Sequence, residues 1–244
     1  MANFFNQLLY RPIFNALIII YQFAALRDMG IAIILLTVVI RLLLWPLFHQ
    51  TARFQKLAPK LQNEIKQIQQ RHKDNREEQT KALMQLYKDH EVNPFTPFLA
   101  LIIQIPLLLA LYGSLSDIFS YKTSINLLYS FVPHPIALNV ISFGIDLSKA
   151  NIVIIIIAAL LQYYMARLAL PEHEKGVTPG QSEKMVRNMA WIGPIITLII
   201  LLGRPSALGV YWCTFAAFSI FQQLIVNYRL KHDGRTDKPI KRIS

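Results

Sequence analysis

Acidic residues are scarce in this chain beside basic ones, and none falls inside any of its long apolar runs. Its 244 residues hold 14 Asp and Glu against 25 Lys and Arg. The one cysteine, Cys213, has no mate for an internal disulfide, so cysteine usage leaves no mark of redox compartment. The nine glycines form no Walker-type phosphate loop, and nucleotide hydrolysis is not expected. The histidines (49, 72, 90, 134, 173 and 232) stand at the ends of apolar runs or in polar loops. No Ser–His–Asp set and no buried Asp pair lies in a membrane-spanning stretch, so an enzyme of the intramembrane hydrolase kind is not expected, nor a metal or cofactor. The opening MANFFNQLLYRP lacks a basic n-region, a small-residue cleavage site and a lipidation cysteine, and no cleaved signal peptide is expected.

What is present is apolar. Hydrophobic residues make up 54% of the chain and mean hydropathy is +0.36, which points to a membrane protein. The net charge of +11 must face water, with acidic lipid or nucleic acid as counterpart. Residues 30–50, GIAIILLTVVIRLLLWPLFHQ, can cross a bilayer, yet they carry Arg41. At about 1.5 Å per residue, the spacing from Gly30 predicts an arginine roughly 15 Å deep, beyond the reach of snorkelling. Such a residue costs about 2.5–3.5 kcal/mol on insertion scales. A buried carboxylate, a water-filled cavity or a thinned membrane must offset that cost.

In chain order, residues 1–29 read as an N-terminal amphipathic helix lying in the membrane interface, because Asn6, Gln7, Arg11 and Asn15 interrupt its first half. A true span is the competing reading. The first span, 30–50, follows. Residues 51–94 hold nine Lys/Arg and six Asp/Glu, with Phe54, Leu57, Leu61, Ile65 and Ile68 on one helical face. They predict a water-exposed helical hairpin that turns at HKDNREE and stops at Asn93-Pro94. Residues 95–228 carry four further spans, at 95–116, 151–170, 189–203 and 208–228, with a connector at 116–150 and a polar loop at 171–187. A basic tail, 229–244, closes the sequence. The positive-inside rule places the hairpin, the 166–188 loop and the tail together in the cytoplasm, with 19 Lys/Arg against five on the other side. The N-terminus is then outside.

The spans offer Arg41 no carboxylate. They offer Thr37, Gln104, Ser114, Gln162, Thr197, Thr214, Ser219, Gln222, Gln223 and Asn227, of which Thr37 lies one turn away on the same face. These accept hydrogen bonds but cannot neutralise a charge. The inference is an aqueous, positively charged pocket within the membrane. The structural alternative is an arginine bonded to backbone carbonyls between helices. A small-anion transporter using Arg41 is a rival function, disfavoured by an odd number of spans and few glycines.

Several segments together resemble the YidC-type membrane protein insertases: TVVIRLLLWPL at 37–47, LAPKLQNEIKQIQQRHKDN at 57–75 with LYKDHEVNPF at 86–95, LIIQIPLLLALYGSL at 101–115, and SALGVYW…QQLI at 206–225. The match covers nearly the whole chain in order. No large external domain follows the first segment, unlike the larger Gram-negative members, and the lipoprotein cysteine of many Gram-positive ones is absent. Phe215-Ala216 stands where Ser-Asn often follows the Tyr-Trp pair. The resemblance implies an all-α membrane protein: five transmembrane helices around a hydrophilic groove lined by Arg41, open to the cytoplasm and to lipid. It implies an inner-membrane insertase that moves nascent transmembrane segments into the bilayer. By similarity, Thr37, Gln104, Gln162, Tyr211, Trp212, Ser219 and Gln222 cluster near Arg41. For the glutamines, helix–helix hydrogen bonding is the equal alternative, and for Tyr211 and Trp212 an interfacial aromatic belt. The hairpin, with Lys56, Lys60, Arg71, Lys73 and Arg76, resembles a substrate-recruiting region; the alternative is a solvated spacer. The tail residues Arg229, Lys231, Arg235, Lys238, Lys241 and Arg242 fit ribosomal RNA phosphates or lipid. Nascent membrane proteins and lipids are the implied partners, with the ribosome and a Sec translocon as further candidates, no DNA, and a monomeric state.

Overall fold

Prolines and short polar caps set the boundaries of the helices in the computed structural model, which describes residues 5–119, 125–170, 188 and 190–232. A π-helical turn, Asn6–Tyr10, leads into α1 (Arg11–Phe23), and Pro12, which has no amide to donate to the turn before it, stands just past the junction. Leu26 and Arg27 take positive φ (52° and 60°) and reverse the chain. Helix α2 (Met29–Leu43) is capped by Asp28, whose carboxylate accepts from the Ile31 amide at 3.0 Å and from the Ser142 hydroxyl at 2.5 Å.

The expected straight span over 30–50 is interrupted. Helix α2 ends at Leu43, and α3 (Trp45–Arg71) leaves it at 76°. The cause is Pro46, which has no amide to donate to the Leu42 carbonyl and whose ring would clash with it. Residues 45–49 therefore belong to the same helix as the first arm of the hairpin. Helix α4 (Arg76–Asp89) is the second arm, capped by Asn75, with Glu77 and Glu78 in its first turn.

Helix α5 (Thr96–Phe119) follows, with Pro106 inside it. The connector after it holds a 3-10 turn, Ile125–Leu127, and a hairpin unforeseen in the sequence, β1 (Ile141–Ser142) paired antiparallel with β2 (Ile145–Asp146). Phe143 and Gly144, both at positive φ, form its two-residue turn. Then come α6 (Ile152–Ala169), α7 (Ile192–Leu201) and α8 (Ser206–His232). The connector is tied to the start of α8 by bonds from the Ser206 and Ala207 amides to the Lys149 and Leu147 carbonyls.

Helix α8 is the hub: it packs on α6, α2 and α3, while α7 packs on α6 and α1 on α2 and α5. At Gly209 the α6 and α8 backbones approach so closely that a Cβ would stand 2.5 Å from the Ile154 methyl. One core joins α1, α2, α5, α6, α8 and the connector around Phe14, Leu17, Ile33, Leu111 and Leu147. A second lies under the hairpin, where Leu57, Leu61, Ile68 and Leu86 meet Val226 and Leu230 of α8.

Outside these cores the surface is unusually apolar. Leu101, Ile102, Ile105 and Leu109 of α5, Ile156 and Leu160 of α6, and Ile195 and Ile199 of α7 are all exposed. In water such a belt would be a severe liability; facing lipid it costs nothing. Among the described residues three helices, α5, α6 and α8, are long and apolar enough to cross a membrane, and the bent pair α2–α3 makes up to four. Helix α7, at ten residues, is about half a bilayer long. The chain is a multi-pass helical membrane protein. Helix α1 buries one face, through Ile13, Phe14, Leu17, Ile18 and Tyr21, against the bundle.

Candidate functional site around Arg41

Arg41 lies in the last turn of α2, just before the bend, rather than at the middle of a straight span. There the partial negative charge of the helix C-terminus favours a cation. Its side chain is only 4% exposed. Nη2 donates to Ser219 Oγ at 3.0 Å and to Gln222 Oε1 at 2.9 Å. Among the described residues no backbone oxygen takes a hydrogen bond from it. Nε and Nη1 are buried and have no hydrogen-bond partner among the described residues.

Three aromatic rings enclose the guanidinium: Phe48 at 4.1 Å, Phe215 at 4.7 Å and Phe218 at 5.2 Å from ring centroid to Cζ. Each such contact contributes about 0.5–2 kcal/mol, more as water is removed. These rings, rather than open water, meet most of the charge. The sequence reading missed them because a phenylalanine in an apolar run carries no mark of its own. The signal was their spacing: Tyr211, Phe215, Phe218 and Gln222 recur every three or four residues on α8, and Ser219 shares their face.

Secondary contacts hold the first ones in place. Gln222 donates from Nε2 to the Trp45 carbonyl at 3.2 Å, which ties the start of α3 to α8. Ser219 returns its own proton to Phe215 O at 2.8 Å. A narrow pocket opens beside Arg41. Thr37, Gln104 and Tyr211 form its polar wall, and Ile40, Leu107, Phe48 and Phe215 its apolar one. Gln104 donates to the Tyr211 hydroxyl at 2.5 Å, and its own Oε1 is buried with no hydrogen-bond partner among the described residues. Thr37 spends its hydroxyl on Ile33 O at 2.6 Å.

Not every residue named from sequence arrives here. Gln162 packs on Gly193 at the α6–α7 contact and does not line the pocket. Trp212 turns its ring edge-on to Tyr211 and joins the core instead. On the hairpin, Lys56 is buried. Its Nζ donates to Leu168 O at 3.3 Å and Leu170 O at 2.6 Å, so it caps the end of α6 rather than facing solvent. Asn227 of α8 donates to the same Leu168 carbonyl at 3.1 Å. Lys60, Arg71, Lys73 and Arg76 are exposed. Of the tail residues, Arg229 and Lys231 stand in the last turn of α8; Arg235, Lys238, Lys241 and Arg242 lie outside the described residues. No group of three or more His, Cys, Asp or Glu able to hold a metal occurs among the described residues.

Comparison with known proteins gives one answer. A family model described as 60Kd inner membrane protein matches residues 19–233. A membrane protein insertase YidC of Geobacter metallireducens is 29% identical over 225 residues, 90% of this chain and 37% of that protein. The one from Geobacter sulfurreducens is 28% identical over the same shares. A membrane protein insertase YidC 1 of Listeria monocytogenes is 30% identical over 207 residues, 83% of this chain and 65% of that protein. The matched region thus spans well under half of the Geobacter relatives. None of these relatives is named as a transporter.

Proposed function

The chain belongs to the 60Kd inner membrane protein family, and from that premise we propose that it is a membrane protein insertase. It moves nascent transmembrane segments from the cytoplasm into the bilayer through a groove around Arg41. Five spans form the bundle: the bent pair α2–α3, α5, α6, α7 and α8, with α1 lying along the interface. The hairpin and the basic tail face the cytoplasm and the N-terminus faces out, in keeping with the lysine and arginine bias.

The observation that carries this reading is a guanidinium held by two neutral side chains, with Nε and Nη1 unpaired. A carboxylate or polar flank of an incoming segment completes those bonds, while its apolar part passes between the exposed faces of the helices into lipid. Burial of the substrate's apolar side chains drives the step, at about 25 cal/mol per Å². A locally thinned hydrocarbon layer, consistent with the ten-residue α7, lowers the barrier for the polar part. Nucleotide plays no part. The exposed cations of the hairpin recruit the substrate, and the ribosome and a Sec translocon are candidate partners on the same side.

Proteoliposomes carrying a single-span substrate test this, with protease protection as the readout. Arg41→Ala should slow substrates with an acidic flank at least about tenfold more than wholly apolar ones, the equivalent of roughly 1.4 kcal/mol. Equal slowing of both classes would overturn the role of the charge. No insertion by the wild-type protein would overturn the function.

A further inference from the structure

Beyond the bend, helices α3 and α8 form a second cationic feature that the Arg41 site does not use. On α3, Trp45, His49 and Arg53 recur every four residues and share one face. On α8, Phe221, Tyr228 and Arg229 follow a matching order, aromatic first and cationic last. The two helices pack together. Trp45 stacks on the His49 ring at 6.0 Å and meets Phe221 at 6.4 Å, so the aromatic ends of the two faces touch. At the polar end, Arg53 lies one turn beyond His49 on α3, and Arg229 lies two turns beyond Gln222, whose amide reaches the Trp45 carbonyl, so the register of the two packed helices brings Arg229 alongside Arg53.

These polar groups are poorly satisfied. His49 Nδ1 and Arg53 Nε are buried and have no hydrogen-bond partner among the described residues. Arg53 spends one Nη2 bond on Glu91, at a long 3.4 Å. Arg229 is exposed and makes no hydrogen bond or ion pair among the described residues. The adjoining surface is apolar: Phe221 is 56% exposed and Leu224 46%.

We propose that the α3–α8 junction is a binding site for an anionic phospholipid, its phosphate between His49, Arg53 and Arg229 and an acyl chain along Phe221 and Leu224. Three features favour a lipid over other anions. The cationic end grades directly into an exposed apolar strip, as the ligand itself does. The site begins at an aromatic cluster, Trp45 and Phe221, of the kind enriched where spanning helices meet headgroups. Lipid is also present in vast excess at that place. Two arginines give a net positive end even after Glu91 is counted, and each basic side chain near an anionic headgroup contributes about fivefold in affinity. The site does not depend on insertase activity.

Native mass spectrometry of the full chain, released from mixed phosphatidylglycerol and phosphatidylcholine nanodiscs, tests this. The wild type should retain phosphatidylglycerol in preference, by about twentyfold or more. Arg229→Gln should cut that preference about fivefold, and Arg53→Gln with Arg229→Gln should abolish it. Lys81→Gln with Lys88→Gln, which removes equal charge from α4, should leave it unchanged. A melting temperature in neutral detergent checks that each variant is folded; Arg229→Gln changes an exposed side chain and stays informative if the double variant is not. Equal retention of the two lipids by the wild type would overturn the site, as would an undiminished preference in folded Arg229→Gln. Displacement of the lipid by millimolar inorganic phosphate would reassign the site to a free anion, and displacement by a short RNA to nucleic acid. Either result would overturn the lipid as occupant.

Discussion

Gln222→Glu separates the two properties that meet at Arg41, its packing and its availability. Gln222 is 1% exposed and places Oε1 at 2.9 Å from the guanidinium. Glutamate has nearly the same shape, so its carboxylate falls on the same atom. The substitution removes the amide donation to the Trp45 carbonyl, at a cost of about 1 kcal/mol. It adds a charge pair. At 4 Å and an effective dielectric of about 20, two unit charges attract by about 4 kcal/mol, part of which offsets the desolvation of the new carboxylate. The variant should therefore melt no lower than the wild type. The same new charge repels a substrate carboxylate by a similar amount and cancels most of its attraction to Arg41. A residual loss of only 1.4 kcal/mol is tenfold in rate. Acid-flanked substrates should insert at least about tenfold more slowly into proteoliposomes, and wholly apolar ones at close to the normal rate. The reasoning fails if the variant is as stable as the wild type and still inserts acid-flanked substrates normally.

Two further substitutions address the frame of the site. Phe215→Leu keeps most of the volume but loses one ring from the guanidinium, so it should lower the melting temperature by about 2–4 °C, the effect of about 1 kcal/mol in a chain of this size; an unchanged melting temperature would remove the cation–π account. Lys56→Met deletes the two bonds to the end of α6, worth about 2 kcal/mol together once solvent competition is allowed for. Amide hydrogen exchange within 51–94 should then speed up by about thirtyfold while α5 and α8 stay protected, and uniform protection would show that Lys56 does not dock the hairpin.

Long apolar runs made α5, α6 and α8 plain in the sequence, because a span must bury or expose to lipid some twenty residues at once. The hairpin was equally plain from Leu57, Leu61, Ile65 and Ile68. The bend was not, although Pro46 was in view. Leu42, Leu43, Leu44, Leu47 and Phe48 continue the hydrophobic run across it, and hydropathy does not register direction. Arg41 stood out because an unpaired charge in an apolar run is costly. Its partners were half legible: Ser219 and Gln222 as polar residues on α8, but Phe48, Phe215 and Phe218 only once α2, α3 and α8 converge. Lys56 looked like any other surface lysine, since nothing local foretells that the end of α6 comes to meet it. The hairpin Ile141–Asp146 escaped notice because two-residue strands have no periodicity to detect.

The 76° angle at Leu44 has a mechanical consequence. Helix α3 runs on for 27 residues, about 40 Å, from the corner out to the tip of its arm. Arg41 sits only three residues to the other side. The arrangement is a crank: a long arm that meets the bundle at a corner next to the buried charge. Tilting that arm by five degrees would sweep its tip through about 3.5 Å and, on the short lever of three residues, shift Arg41 by about 0.4 Å, taking the 2.9 Å bond toward the long end of its range. A load at the far end of the arm would thus be geared down about tenfold at Arg41.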